Sequence, residues 1–531
     1  MQTDRATSEL VLYRDTRGRD PGRYTFLESV MKGLAAGGGL LVPEELPSLS
    51  LDEIVGLARL PYRSRAAHLY RRFGVDVPGE RVEQLMRVAY GTNFDSEAVA
   101  PIREVAPGLH VLELWHGPTS AFKDMALQCM PVFFSEAIER RISSGVPTDD
   151  FLVLVATSGD TGKAALEGFA DRSHTRVCVF YPADGVSDIQ RKQMVTQRGS
   201  NVSVFGVRGN FDDCQTAVKE AFNDAAFSAE LHERHRLALS SANSINWGRL
   251  LPQIVYYVSA YAQMTASGGI RPGAPMDVCV PTGNFGNILG AFYAKKMGVP
   301  IGRLLCASNE NNVLTDFIAT GVYDIAARQF VSTPSPSMDI LVSSNLERLL
   351  YELAGPETTS GWMAKLASTR RFELDPATAG KVREHVAGSW VGNDESLRVI
   401  RRVYEERRYL LDPHTAVAWT VGERLRGADP MLVVSTAHWA KFGEDVYKAL
   451  RGIPHAEPLP PEVSRLTGVK LLAEVQALAP AASSVPRSLA ELDALPERFT
   501  EVVEPGREGV EGAVRGWVGR AGQAPSDAAQ T

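Results

Sequence analysis

Disulfides are the first device this chain does without. Its 531 residues hold five cysteines, Cys129, Cys178, Cys214, Cys279 and Cys306, an odd number with no close pair. Neither a disulfide framework nor a clustered metal site fits that spacing. Cys178, Cys279 and Cys306 stand in apolar strand-like runs (VCVFY, VCVP, LLCAS), where a thiol serves as a small hydrophobe. Reduced core thiols in a cytoplasmic protein, with no metal, are the expectation. No apolar run approaches bilayer length, and the polar opening MQTDRATSEL lacks the form of a signal peptide. Lysine and arginine are dispersed and the formal net charge is -7, so there is no basic footprint for nucleic acid or a membrane surface. An internal repeat is also missing. Any anion this chain binds must be bound locally.

What is present is core. Hydrophobic residues make up 44% and charged ones 22%, the balance of a globular protein long enough for two or three domains. Residues 1–105 form a prelude, with a strand around Val11-Leu12-Tyr13, the glycine-rich GLAAGGGLLVP and then helical segments. A catalytic region is expected over 106–455, an extension rich in proline and alanine over 456–519, and a disordered tail over 520–531. Short apolar strands alternate with helices from Leu109 onward. The strands read as Phe151–Ala156, Arg176–Tyr181, Val202–Val207, Met276–Val280, Arg303–Ala307 and Met431–Ser435, and residues 330–430 as mostly helical. Near-continuous apolar strands alternating with helices predict an α/β fold of two domains with parallel sheets.

Ligands of such sheets bind at the carboxyl ends of the strands, and three loops there suit anions. Thr157-Ser158-Gly159-Asp160-Thr161-Gly162 follows a strand and opens a helix, where free N–H groups attract negative charge. Simple capping by Asp160 or Thr161 accounts for the same residues. A nucleotide P-loop is excluded: Thr157 stands where its first glycine belongs, and Ala164 offers no hydroxyl after Lys163. Thr282-Gly283-Asn284-Phe285-Gly286-Asn287 has glycines that let backbone wrap a phosphate. Ser240 to Arg249 (SSANSINWGR) offers short donors and one guanidinium before another helix.

Lys123 completes the set. It ends the run HGPTSAFK and precedes the apolar stretch Met125 to Met130. A lysine placed there is poorly solvated, which favours the free amine that carbonyl chemistry needs. A snorkelling or ion-paired lysine, with Asp124 as partner, is the plainer alternative. A Schiff-base lysine together with anion loops on an α/β scaffold suits pyridoxal 5'-phosphate.

Five motifs in order, HGPTSAFKDMALQ, ATSGDTGKAALEGFA, SSANSINWGRL, VPTGNFGN and STAHWAKF, resemble threonine synthase of the bacterial and fungal type. YTFLESVMKGLAAGGGLLVP, FYPADGVSDIQRKQMVTQ and SPSMDILVSSNLERLL are similar to that family too, and the likeness runs from about residue 11 to 520. It implies the fold-type-II (tryptophan synthase β-like) architecture with the cofactor between two α/β domains. It also implies conversion of O-phospho-L-homoserine and water to L-threonine and phosphate, the last step of threonine biosynthesis, in a monomer or homodimer. By the same resemblance Lys123 would hold the cofactor and act as base. Gly283, Asn284, Phe285, Gly286 and Asn287 would cup its phosphate, and Thr436 would meet the pyridine nitrogen. Ser158, Asp160 and Thr161 would meet the substrate carboxylate through N–H and hydroxyl groups, since an ionised Asp160 repels it. Ser241, Asn243, Ser244, Asn246 and Arg249, with Lys163, are the candidates for the substrate phosphate. A related phospholyase on the same scaffold and a non-catalytic paralogue are the alternatives, the latter disfavoured because Lys123, Thr436 and GNFGN are intact.

Overall fold

The computed structural model describes residues 10–183 and 185–521; from 522 on, the expected tail lies outside the described residues. The chain forms two compact units, residues 1–134 with 243–490, and residues 135–242 with 491–531.

The first unit is built on a six-stranded sheet in the order Val386–Trp390, Ile301–Ser308, Met276–Pro281, Met431–Ser435, Leu109–Glu113, Ile102–Ala106. The strands Met276–Pro281, Met431–Ser435 and Leu109–Glu113 are buried along their whole length and mostly apolar, with buried exceptions such as His110, Glu113 and Asp277, as suits strands covered on both faces. Two features depart from the sequence reading. The sheet is mixed, because Ile102–Ala106 runs antiparallel to Leu109–Glu113. Only Pro107 and Gly108 separate those strands, with Gly108 at φ +66, and so short a turn can join only antiparallel partners. The second is the strand Val386–Trp390, inside a region expected to be helical. It pairs on one side only, with Ile301–Ser308, and its centre is Ala387-Gly388-Ser389. Small residues there give no apolar periodicity, yet they let a helix lie close: a Cβ on Gly388 would stand 3.1 Å from Ile318.

The prelude belongs to this same unit. Tyr13–Asp15 pairs antiparallel with Leu41–Pro43, and a capping box at Thr25 starts the helix Phe26–Lys32. Phe26 packs edge-on against Tyr70 and Phe133, and Tyr13 packs on Trp247, the first residue of the helix Trp247–Ala266.

The second unit holds a five-stranded, wholly parallel sheet, ordered Val502–Val503, Val202–Val207, Thr175–Pro182, Asp150–Ala156, Leu237–Ser240. Its core joins Leu152, Leu154, Phe180 and Phe205 to Val510, Val514 and Val518, which recur every four residues along the helix Arg507–Ala521. The segment after 455 therefore divides: residues 456–490 fall in the first unit and the rest in the second. All five cysteines are buried and free. Among the described residues no helix is long and apolar enough to cross a membrane, and no group of side chains is fit to hold a metal ion.

Candidate active site

Five parallel strands of the first unit end on one edge of its sheet, and the loops leaving four of them carry the candidate residues. Lys123 follows Leu109–Glu113, Gly283 to Asn287 follow Met276–Pro281, Thr436 follows Met431–Ser435, and Asn309 follows Ile301–Ser308.

The lysine loop is held rigidly. Asp124 is fully buried and accepts the Thr119 amide at 2.8 Å and its hydroxyl at 2.7 Å. Gly117 lets that carboxylate approach, since a Cβ there would stand 2.4 Å from Asp124 Cβ. Ser120 adopts φ +59, strained for a residue with a side chain. Backbone bonds stitch the loop to the end of the neighbouring strand: Phe122 N–H to Thr436 O at 2.7 Å, and His438 N–H to Ser120 O at 3.0 Å. Thr436 and Lys123 are thereby brought together. Lys123 is 9% exposed, with Nζ 5.1 Å from the Phe122 ring centroid and 3.4 Å from Ser337 Oγ.

The glycine loop is shaped by a second strained residue, Phe285 at φ +62, which turns the chain into the helix Gly286–Lys296. Gly283 has no room for a side chain, because a Cβ would lie 2.8 Å from Ser337 O and 3.1 Å from Met338 Cα. Asn287 Oδ1 accepts the hydroxyls of Tyr256 and Tyr257 at 2.6 and 2.5 Å, while its Nδ2 is buried without a partner. A buried amine, a helix-opening glycine turn and a ready amide donor fit a group carrying an aldehyde and a phosphate.

Asn345 ties this loop to the third candidate loop, donating to both Ser244 O and Asn284 O, at 3.2 and 3.1 Å. Arg348, fully buried, donates to Leu41 O at 3.1 Å and also to Ile245 O, so the prelude braces the same segment. Asn246 caps the helix Trp247–Ala266 through Gly248 N–H at 2.8 Å, and its Nδ2 donates to Val30 O at 2.8 Å; both ends of its amide serve the scaffold. Asn243 is exposed and Ser244 half-buried. Arg249 is 3% exposed in the first turn of that helix. Burial pushes its pKa down to about 10, which leaves it cationic at neutral pH.

Ser158, Asp160, Thr161, Lys163 and Ser241 belong to the second unit. The helix Asp160–Phe169 is capped by neither Asp160 nor Thr161. Thr157 does that work, its hydroxyl accepting the amides of Gly159 and Gly162 at 3.0 and 2.9 Å. Asp160 instead accepts Gln190 Nε2 at 3.0 Å, and Ser158 and Thr161 are half-buried. Lys163 pairs with Glu167 at 2.9 Å one turn along its helix. Burial raises the Glu167 pKa, but the lysine outweighs it and the carboxyl is held below its usual range.

Ser337, His414, Asp412, Asn345 and Arg348 were not singled out from sequence. The first, fourth and fifth lie in SPSMDILVSSNLERLL, and the Asp-Pro of LDPHTAV is a helix-start signal that locates His414 in a first turn.

Three family models match the chain in order: Threonine synthase N terminus over residues 12–90, Pyridoxal-phosphate dependent enzyme over 96–437, and Threonine synthase, C-terminal over 415–475. The chain is 44% identical over 437 residues to human threonine synthase-like 1, a match covering 80% of this chain and 58% of that protein; it thus spans less than two thirds of that relative's length. It is 35% identical over 493 residues to threonine synthase of Saccharomyces cerevisiae, covering 86% of this chain and 94% of the yeast protein. A crystal structure of PLP-bound threonine synthase from Brucella melitensis superposes with a TM-score of 0.82 at 34% identity, covering 97% of this chain and 100% of that one.

Proposed function

The chain belongs to the threonine synthase family of pyridoxal-phosphate-dependent enzymes, and from that membership we propose that it converts O-phospho-L-homoserine and water to L-threonine and inorganic phosphate. Pyridoxal phosphate, when bound, supplies the electron sink that makes protons on Cα and Cβ of an amino acid removable. Lys123 would hold that cofactor through its amine, the amides from Gly283 to Asn287 would hold its phosphate, and the Thr436 hydroxyl would serve its ring nitrogen. With substrate bound, the Lys123 amine would be free to act as base at Cα and then at Cβ, and would return protons after water has added at Cβ. Arg249, with Asn243 and Ser244, holds the phosphate that leaves Cγ, stabilising charge where it develops. Ser158 and Thr161 bind the substrate carboxylate.

What supports this reading above all is the buried Lys123 amine, tied through backbone to Thr436 and lying beside Ser337. The test is incubation of purified protein with O-phospho-L-homoserine, with phosphate and threonine both measured, and with Lys123→Ala as the inactive control. A second reading has one observation in its favour: the higher identity is to the relatives named threonine synthase-like 1. In that reading the chain is a phospholyase for O-phosphoserine or a phosphorylated amino alcohol. Phosphate release from those substrates with no threonine from O-phosphohomoserine would establish it and overturn the first.

A further inference from the structure

His414 reaches Lys123 through a single intermediate residue. It lies in the first turn of the helix Pro413–Arg424, whose N-cap is Asp412, and both side chains are buried. Asp412 Oδ1 accepts the His414 amide at 2.9 Å and lies 3.0 Å from His414 Nδ1; the other carboxylate oxygen accepts the Thr415 hydroxyl. On the far side of the ring, the Ser337 backbone amide donates to His414 Nε2 at 3.1 Å. An amide can only donate, so Nε2 carries no proton and the ring proton sits on Nδ1, facing the carboxylate. One tautomer satisfies both ends.

Ser337 in turn has three neighbours that matter. Its amide is held by His414, its carbonyl fills the space a Gly283 side chain would need, and its hydroxyl is 3.4 Å from Lys123 Nζ. The turn Pro336–Met338 that carries it is anchored on its flanks by Asn309, which donates to Ser335 Oγ at 3.0 Å and to Asp339 at 2.7 Å. The Phe442 ring lies 4.8 Å from the His414 ring, and Asp339 is near enough to feel its charge.

We propose that His414, oriented by Asp412, is a positioning residue that seats Ser337 so that the Ser337 hydroxyl aims the amine of Lys123. The inference rests on the reading of Lys123 as the cofactor's lysine. A lysine side chain is long and conformationally free, and a base that must serve two adjacent carbons needs its nitrogen held in one direction. The opposite tautomer would set an Nε2 proton against the Ser337 amide proton, two donors head to head, and displace the turn.

The test uses the whole 531-residue chain, freed of any bound cofactor so that the Lys123 amine is unblocked, and two readouts that need no turnover. Nitrogen-15 NMR of the histidine side chains gives the His414 tautomer; Nδ1–H is expected, and Nε2–H overturns the proposal. The second readout is the rate at which Lys123 is reductively methylated by formaldehyde and borohydride, measured by peptide mass spectrometry against exposed Lys470. Ser337→Ala and His414→Phe are each expected to change the Lys123 rate by about five-fold, the scale of one hydrogen bond. The double variant should match Ser337→Ala alone, because the two act in series. His414→Gln, which keeps an acceptor near the Nε2 position, should restore the wild-type rate. Additive effects, or an unchanged rate in folded His414→Phe, sink the proposal. If thermal melting shows that His414→Phe does not fold, His414→Asn, too short to reach Ser337, replaces it in the cycle. A chain that makes no threonine can still pass this test, whereas borohydride reduction with pyridoxal phosphate that leaves Lys123 unmodified fails the reading beneath it.

Discussion

The amide of Phe122 donates to the carbonyl of Thr436 at 2.7 Å, so the residue before the lysine and the residue proposed for the cofactor's ring nitrogen are locked by backbone alone. Side-chain changes at Thr436 can therefore be made without moving the lysine.

Thr436→Val keeps the shape and removes the hydroxyl. Cofactor affinity should fall about ten-fold, the worth of one buried hydrogen bond, with thermal stability nearly unchanged. Titration of the apo-protein with pyridoxal phosphate, followed by its visible absorbance, reads the effect directly.

Gly283→Ala should be costly for a steric reason. The new methyl would meet Ser337 O at 2.8 Å and Met338 Cα at 3.1 Å, and backbone atoms cannot swing aside. We expect a stability loss of about 1–3 kcal/mol, seen in thermal melts, and weaker cofactor binding.

Arg249→Ala removes a buried cation from the loop proposed to hold the substrate phosphate. The expected result is a loss of roughly a hundred-fold or more in kcat/KM for the phosphorylated substrate, with the cofactor still bound. Arg249→Lys should recover only part of it, because a point charge does not replace a planar fork. Steady-state kinetics on cofactor-saturated protein would show equal activity in all three proteins if Arg249 stood outside the site.

His116, which opens the lysine motif, sits between Asp95 at 2.6 Å and Glu113 at 2.9 Å. Burial alone would lower its pKa, but the two carboxylates outweigh burial and raise it to about 9. The folded pKa lies above the unfolded value near 6.5. The stabilisation is thus fully present below pH 6.5 and is lost as pH rises through 9, a contribution on the order of 3 kcal/mol. Melting temperature should decline between pH 6.5 and 9 in the wild type, and His116→Gln should be less stable at pH 6 and flatter across that window.

Much of the architecture was legible because buried parallel strands advertise themselves. Val202–Val207 and Met431–Ser435 are near-continuous apolar runs, and both form strands where the sequence pattern puts them. Val386–Trp390 was hidden because an edge strand of small residues resembles a loop, and Ile102–Ala106 because pairing direction is set by a two-residue turn. At the site, Lys123 and the glycine loop could be read because their chemistry is tied to a local motif. The link from Asp412 through His414 to Ser337 could not, since 77 positions separate His414 from Ser337 and only the fold brings them together. The cap at Thr157 was missed for a smaller reason: it lies just before the turn, outside the usual capping position.

The order in which the sequence visits the two units has a consequence for synthesis. Strand Val202–Val207 waits for Val502–Val503 to cover its edge, and helix Arg507–Ala521, which packs on the same core, emerges later still. During translation of roughly the intervening three hundred residues an apolar strand edge stays open, the condition that invites pairing with another chain. The first unit, complete once residue 490 is made, closes earlier. Nascent chains stalled between those points should be the aggregation-prone species, and the natural clients of a chaperone that shields strand edges.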